Sequence, residues 1–189
     1  PRFSSWCGAI ANTSIRARVD MAVSKTTVTQ TPDANPTVAL PPTVDPVTVR
    51  EPFFYVIEAV NNGPGSSLSL DRSGTNPLNG PGTRVVDTLP AGVIVTGTIT
   101  WQKVGPSVGA GDVPNGTGTC SLAGSTVTCD LGDVTFGAGN SGRVRIIVPA
   151  RWDTVPAGGT SSNRATVSTQ QVDNINGNDT VTVPLGVIA

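Results

Sequence analysis

Histidine is absent from all 189 residues. That removes the commonest general base, the histidine-containing catalytic triads and most zinc sites. Charge is sparse: 12 Lys and Arg stand against 13 Asp and Glu, for a net charge of −1. A near-neutral chain with so few cations offers no electrostatic footprint for nucleic acid or an anionic membrane. Long apolar runs are also missing; stretches such as Val144 to Ala150 fall far short of the ~20 residues that cross a bilayer as a helix. No segment holds a 3.6-residue apolar period, so little or no helix is expected. No signal peptide precedes Pro1, the pattern of a processed product or an excised piece.

Glycine (22) and proline (16) are abundant, and Val and Thr dominate the remainder. Strand formers punctuated by turn formers read as all-β. Alternation begins at Ile15-Arg-Ala17-Arg-Val19-Asp-Met21-Ala-Val23, with apolar odd positions, as in a half-buried strand. Residues 30–46 carry five prolines, which rule out a central strand and predict an extended surface excursion. Phe53 to Asn61 is the strongest strand and stops at the turn signal Asn62-Gly63-Pro64-Gly65. Polar or Gly-rich loops follow at 71–82 and 105–118. Strands are expected at Arg84–Leu89, Val93–Val104, Arg143–Ala150, Ser162–Thr169 and Asp179–Val187. Eight or nine strands at turn-punctuated spacing predict a two-sheet antiparallel sandwich. No domain boundary is visible after residue 20.

Cys120 and Cys129 flank a hairpin whose turn is Ala123-Gly124, so they face each other and can bridge. Closing that loop stabilises by roughly 2–3 kcal/mol in the chain-entropy model. The alternative is a pair of reduced, half-buried thiols. A bridge implies an oxidising, extracytoplasmic location. Cys7 is then the odd cysteine, suited to an intermolecular bond or a free thiol.

Several segments together resemble a known family. Asp20-Met-Ala-Val-Ser-Lys-Thr26, Tyr55-Val-Ile-Glu-Ala-Val-Asn-Asn-Gly-Pro64, Val86-Asp-Thr-Leu-Pro-Ala-Gly-Val93, Thr119-Cys120 through Cys129-Asp-Leu-Gly132, Asn163-Arg-Ala-Thr-Val167 and Asn174 to Val181 resemble, in order, the prokaryotic conserved-repeat surface domain (domain of unknown function eleven). The resemblance implies an immunoglobulin-like β-sandwich of secreted and cell-surface proteins, found as tandem stalk repeats and without catalytic residues. The chain departs from that pattern in having one copy, a Pro-rich insertion at 30–46, a long loop at 71–82 and an extra N-terminal arm at 1–19 ahead of the sandwich at 20–189.

Two surfaces suggest contact with other copies. With Tyr55, Ile57 and Ala59 turned to the core, as the family alignment implies, Phe54, Val56, Glu58 and Val60 form the outer face, and three of the four are apolar. Such a face needs a cover: either the Pro-rich excursion or a second subunit. The arm carries Phe3, Trp6 and Ile10, then Ile15, Ala17 and Val19 at period two. Aromatic, alternating sequence fits a strand that docks on a sheet edge, its own or a neighbour's. Docking on the next copy propagates as a fibre, and Cys7 could lock the joint. The expectation is a non-enzymatic structural subunit of an extracellular filament or surface polymer. It needs no cofactor and no metal, partners with itself, and is compatible with a cell-surface or glycan contact. The alternative is a single stalk or adhesion domain of a larger surface protein.

Other patterns are set aside. Asp173-Asn-Ile-Asn-Gly-Asn-Asp179 resembles half a calcium loop but lacks the regular acidic spacing and terminal Glu, and reads as a hairpin turn. Lys25 invites comparison with domains that form internal isopeptide bonds, which need a buried acid beside the lysine and an Asn or Asp on the last strand. Glu58 faces outward in this register, so no acid is assigned to Lys25. Trp101 and Trp152 read as core rather than as a sugar platform.

Overall fold

The computed structural model describes residues 18–68, 82–108 and 113–189. In chain order the strands are β1 (Arg18–Val19), β2 (Met21–Val28), β3 (Val47–Thr48), β4 (Phe53–Asn61), β5 (Thr83–Thr88), β6 (Val93–Val95), β7 (Thr100–Val104), β8 (Gly116–Thr119), β9 (Ser121–Ala123), β10 (Thr126–Gly132), β11 (Phe136–Gly137), β12 (Asn140–Ser141), β13 (Arg143–Trp152), β14 (Thr160–Ser168), β15 (Val172–Asp173) and β16 (Thr180–Ile188). Among the described residues the sole helical element is a 3-10 turn at Ala157–Gly159. One sheet has the order β3-β16-β14-β5-β10-β9, and the other β2-β4-β13-β7-β8, with β6 also on β13. The main pairings are antiparallel; β1 with β15 and β3 with β16 are parallel. The fold is the all-β sandwich that the sequence predicts.

Alternation sets what each sheet buries. In β4, Phe53, Tyr55, Ile57, Ala59 and Asn61 are buried. Register places Lys25 of β2 and Ile146 of β13 against Ile57, so all three share the inner face. On the opposing sheet, Val85 lies beside Cys129 and Val167, while Asp87 lies beside Val127 and Ala165. Fully burying side chains such as Phe53, Ile57, Leu131 and Ile146 contributes about 1.5–3 kcal/mol each. The turn after β4 is tied by Asn61, whose amide nitrogen donates to the carbonyls of Gly65 and Val134 and whose oxygen accepts from the Gly63 N–H. Gly63 has φ +86°, a conformation that favours glycine.

Three expectations need correction. The strand expected over 93–104 divides into β6 and β7, which both pair with β13. The loop expected over 105–118 ends early, because Gly116–Thr119 pairs with β7. Propensity missed that strand since its glycines are a packing device: a Cβ on Gly118 would stand 2.6 Å from the Trp101 indole. The strand expected to run unbroken through 15–23 is, in its described part, two pieces separated at Asp20.

The cover of the outer face comes from the chain itself. Arg145 of β13 lies opposite Glu58 and is 2% exposed. Its Nε and Nη2 donate to Glu58 Oε1 at 2.9 and 2.7 Å. The same guanidinium donates to the carbonyls of Asp33, Asn35 and Val38 at 2.8–3.0 Å. The rigid fork of donors suits this task. Thr27 completes the attachment by exchanging bonds with Val44, through both its hydroxyl and its carbonyl. Pro32 and Pro36 of the excursion are themselves buried. Replacing Arg145 with Met should therefore destabilise the chain by about 3 kcal/mol, since Glu58 loses its partner. The excursion should become a protease-sensitive loop. Urea unfolding and limited proteolysis of the folded variant check both.

Candidate functional site

Three chemistry-bearing side chains occupy positions where alternation calls for apolar ones. Along the inner face of β2 and its lead-in the order is Val19, Met21, Val23, Lys25, Thr27. Along β5 it is Thr83, Val85, Asp87. Along β14 it is Ser161, Asn163, Ala165, Val167. Register and burial put Lys25, Asp87 and Asn163 on the facing sides of the two sheets. β2 packs directly on β14 and β16, so the lysine of one sheet meets the aspartate of the other, and the asparagine is buried on the same facing side.

Lys25 Nζ lies 2.5 Å from Asp87 Oδ1, and neither side chain has any solvent exposure. The ammonium also sits over the Tyr55 ring, 4.6 Å from its centroid. Tyr55 is held by an edge-on contact with Phe53, ring centroids 5.0 Å apart. Around this pair the polar groups are under-satisfied. Asp87 Oδ2, both side-chain atoms of Asn163, the Tyr55 hydroxyl and Trp152 Nε1 are buried with no partner at hydrogen-bonding distance. Buried polar atoms in folded proteins are nearly always paired, because each orphan costs about 1–3 kcal/mol.

Burial dominates the electrostatics. It pulls Lys25 down to about 8, against the opposing charge and hydrogen bond of Asp87. It pushes Asp87 up, against Lys25 and, more weakly, the nearby Asn163 amide. Burial, then the Asp87 charge, raises Tyr55, so its hydroxyl keeps its proton. Burial thus pushes both partners toward their neutral forms, while their mutual attraction opposes it. An uncharged amine is a nucleophile, a carboxyl group is a proton donor, and a carboxamide carbon is an electrophile. Lys103 makes the contrast: it is also buried, but its Nζ donates to the carbonyls of Leu131 and Asp133 at 2.7 and 2.8 Å, which keeps it structural.

The sequence-derived site residues fall in three groups. Cys120 and Cys129 form a disulfide, with Cys129 in the core and Cys120 packed against it. Phe3, Trp6, Cys7, Ile10, Ile15 and Ala17 lie outside the described residues. Val19, read as an inter-subunit contact, is instead wholly buried in the core of its own chain. On the outer face Phe54 and Val60 are half-buried, and Val56 has no exposed surface to offer a partner. Glu58 does face outward, on Arg145; the acid beside Lys25 is Asp87, on the facing sheet. The alternation itself carried the signal, as a polar residue at an inward position on each of three strands. Trp152 is buried, as read, and Trp101 is half-buried against Gly118.

The Asn-rich turn is a meeting of like charges. Asp173 accepts from the Met21 and Ile175 N–H groups, and Asn178 donates to Asp20. Partial burial, then the charges of Asp173 and Asp20, raise Asp179 to about 6. An acid raised in the fold binds more protons folded than unfolded, so stability falls as pH climbs from about 4 through 6. Because Asp179 is half-buried and keeps some contact with solvent, screening holds the effect to about 1 kcal/mol. Asp179→Asn should flatten this part of the stability–pH curve and be the more stable chain at pH 7, as read by thermal unfolding across that range.

No family model matches the chain, and no curated protein does. Among the described residues no helix is long and apolar enough to cross a membrane. Solved structures with a similar architecture exist at low identity. A variant of the major pilin subunit BcpA of Bacillus cereus aligns over 89% of this chain and 40% of its own, at 15% identity and TM-score 0.46. The full-length major pilin SpaD of Corynebacterium diphtheriae aligns over 88% and 33%, at 15% identity and TM-score 0.42. The collagen binding domain of the Erysipelothrix rhusiopathiae surface protein RspB aligns over 74% and 46%, at 11% identity and TM-score 0.39. The chain thus spans less than half the length of each of these three structures.

Proposed function

We propose that the chain is a non-enzymatic structural subunit of an extracellular filament or surface polymer. The observation that carries this reading is the seclusion of its reactive groups: Lys25 and Asp87 have no exposed side-chain surface, so no external substrate reaches them. Their placement instead ties sheet to sheet. The Cys120–Cys129 disulfide fits an oxidising compartment and adds a second cross-tie. The resemblance to surface-repeat domains points the same way.

The joint between copies is assigned to the arm ahead of Arg18, with Phe3, Trp6, Ile10, Ile15 and Ala17 as its apolar contacts and Cys7 as a covalent lock. It is not assigned to the outer face, which the chain's own excursion covers. A second reading, a stalk or adhesion domain of a larger surface protein, is favoured by that same self-sufficiency and by the burial of Val19 at home. Deleting residues 1–14 separates the two. If the arm is the joint, negative-stain imaging shows polymers from the full chain and folded monomers from the truncation. Monomers from both at every concentration support the stalk reading, and polymers from the truncation refute the joint.

A further inference from the structure

The geometry points to an intramolecular amide bond between Lys25 Nζ and Asn163 Cγ, formed by the chain itself with Asp87 as the proton-transferring acid. Three independent observations support it. The first is placement: an amine, a carboxyl and a carboxamide share one enclosed patch between the two sheets, on strands that pack directly together. The second is orphaned polarity. Both atoms of the Asn163 carboxamide and one Asp87 oxygen lack partners, whereas the buried side chains of Asn61, Lys103 and Arg145 are each committed to carbonyls. An unreacted asparagine and lysine explain this cluster poorly, since a permanent ion pair would need its remaining lone pairs satisfied. The third is the microenvironment: burial favours the uncharged amine and the protonated carboxyl.

The step balances without an oxidant, reductant or cofactor. The Lys25 ammonium first passes a proton to the Asp87 carboxylate. The free amine attacks Asn163 Cγ while Asp87 donates its proton to the carbonyl oxygen. The tetrahedral centre collapses as the proton from Nζ is relayed through Asp87 to the departing Nδ2. The Nζ–Cγ bond forms, the Cγ–Nδ2 bond breaks, ammonia leaves, and Asp87 ends protonated. Exclusion of water keeps the carboxamide from hydrolysis and strengthens the contact of Asp87 with the developing oxyanion. The Tyr55 ring beneath Nζ and its buried hydroxyl wall the patch. The reaction is single-turnover and needs the folded sandwich, because it takes groups from both sheets to assemble it.

The inference stands on these residues and is independent of how copies join. Intact-mass spectrometry of the folded full chain tests it, with tryptic mapping. The expected mass is that of the sequence less the disulfide hydrogens and less one ammonia. A branched peptide should join the Lys25 segment to the Asn163 segment. Lys25→Met and Asn163→Ala should lack the ammonia loss. Asp87→Ala should also lack it although both reacting groups remain, and it should restore tryptic cleavage after Lys25. Asn163→Asp should lose water in place of ammonia. Should a variant fail to fold, the branched peptide of the unaltered chain still decides. A folded, unaltered chain at the full sequence mass, with cleavage after Lys25 and no branched peptide, would overturn the proposal and leave a buried ion pair only.

Discussion

A lysine from one sheet and an aspartate from the other meet at 2.5 Å in a space that excludes water, and the rest of the sandwich is arranged around that contact. Taking two charges out of water costs several kcal/mol each, and an ion pair regains this only with good geometry and full hydrogen bonding. Here the geometry is good and the hydrogen bonding is incomplete. An apolar trio at the same three positions would pack a sandwich with less expense. The polar trio is therefore better understood by what it can become: a covalent tie between the second strand and the fourteenth. Proton transfer within the pair removes both charges, and amide formation removes the amine altogether, so the desolvation cost is relieved by the chemistry it promotes.

A different device closes the outer face of the same sheet. Arg145 holds Glu58 with one side of its guanidinium and three carbonyls of the Pro-rich excursion with the other. Prolines have no N–H to leave unpaired, so a proline-rich segment can lie flat on an apolar face and be fixed at a few carbonyls. Val56 is thereby enclosed by its own chain. The result is an outer face covered by its own chain, in a sandwich cross-tied by the disulfide at one sheet and by the lysine patch between the sheets. Such a bead fits the proposed role in a surface polymer, where resistance to pulling matters more than turnover.

Much of this architecture was legible in the sequence, and the exceptions have physical causes. Runs of strand formers bounded by turn residues located the long strands β4, β13, β14 and β16. The cysteine spacing gave the hairpin bridge. The strand at Gly116–Thr119 was hidden, since Gly118 is there to admit the Trp101 ring and glycine carries no strand propensity of its own. The cover of Phe54, Val56 and Val60 could not be assigned, because it depends on a contact between Arg145 and residues more than a hundred positions away. For Lys25, the acid nearest in strand order is Glu58, on the neighbouring strand of its own sheet, and it faces the other way. Asp87 belongs to the facing sheet, and sequence periodicity says which side a residue faces without saying what stands across the core.

Single-molecule pulling of the unaltered full chain from its two ends bears most directly on the tie between the sheets. With Lys25 joined to Asn163, unfolding releases only the segments outside those two residues, and the intervening stretch never extends at any force below that of covalent rupture. Extension of that stretch, short only of the Cys120–Cys129 loop, would contradict the account.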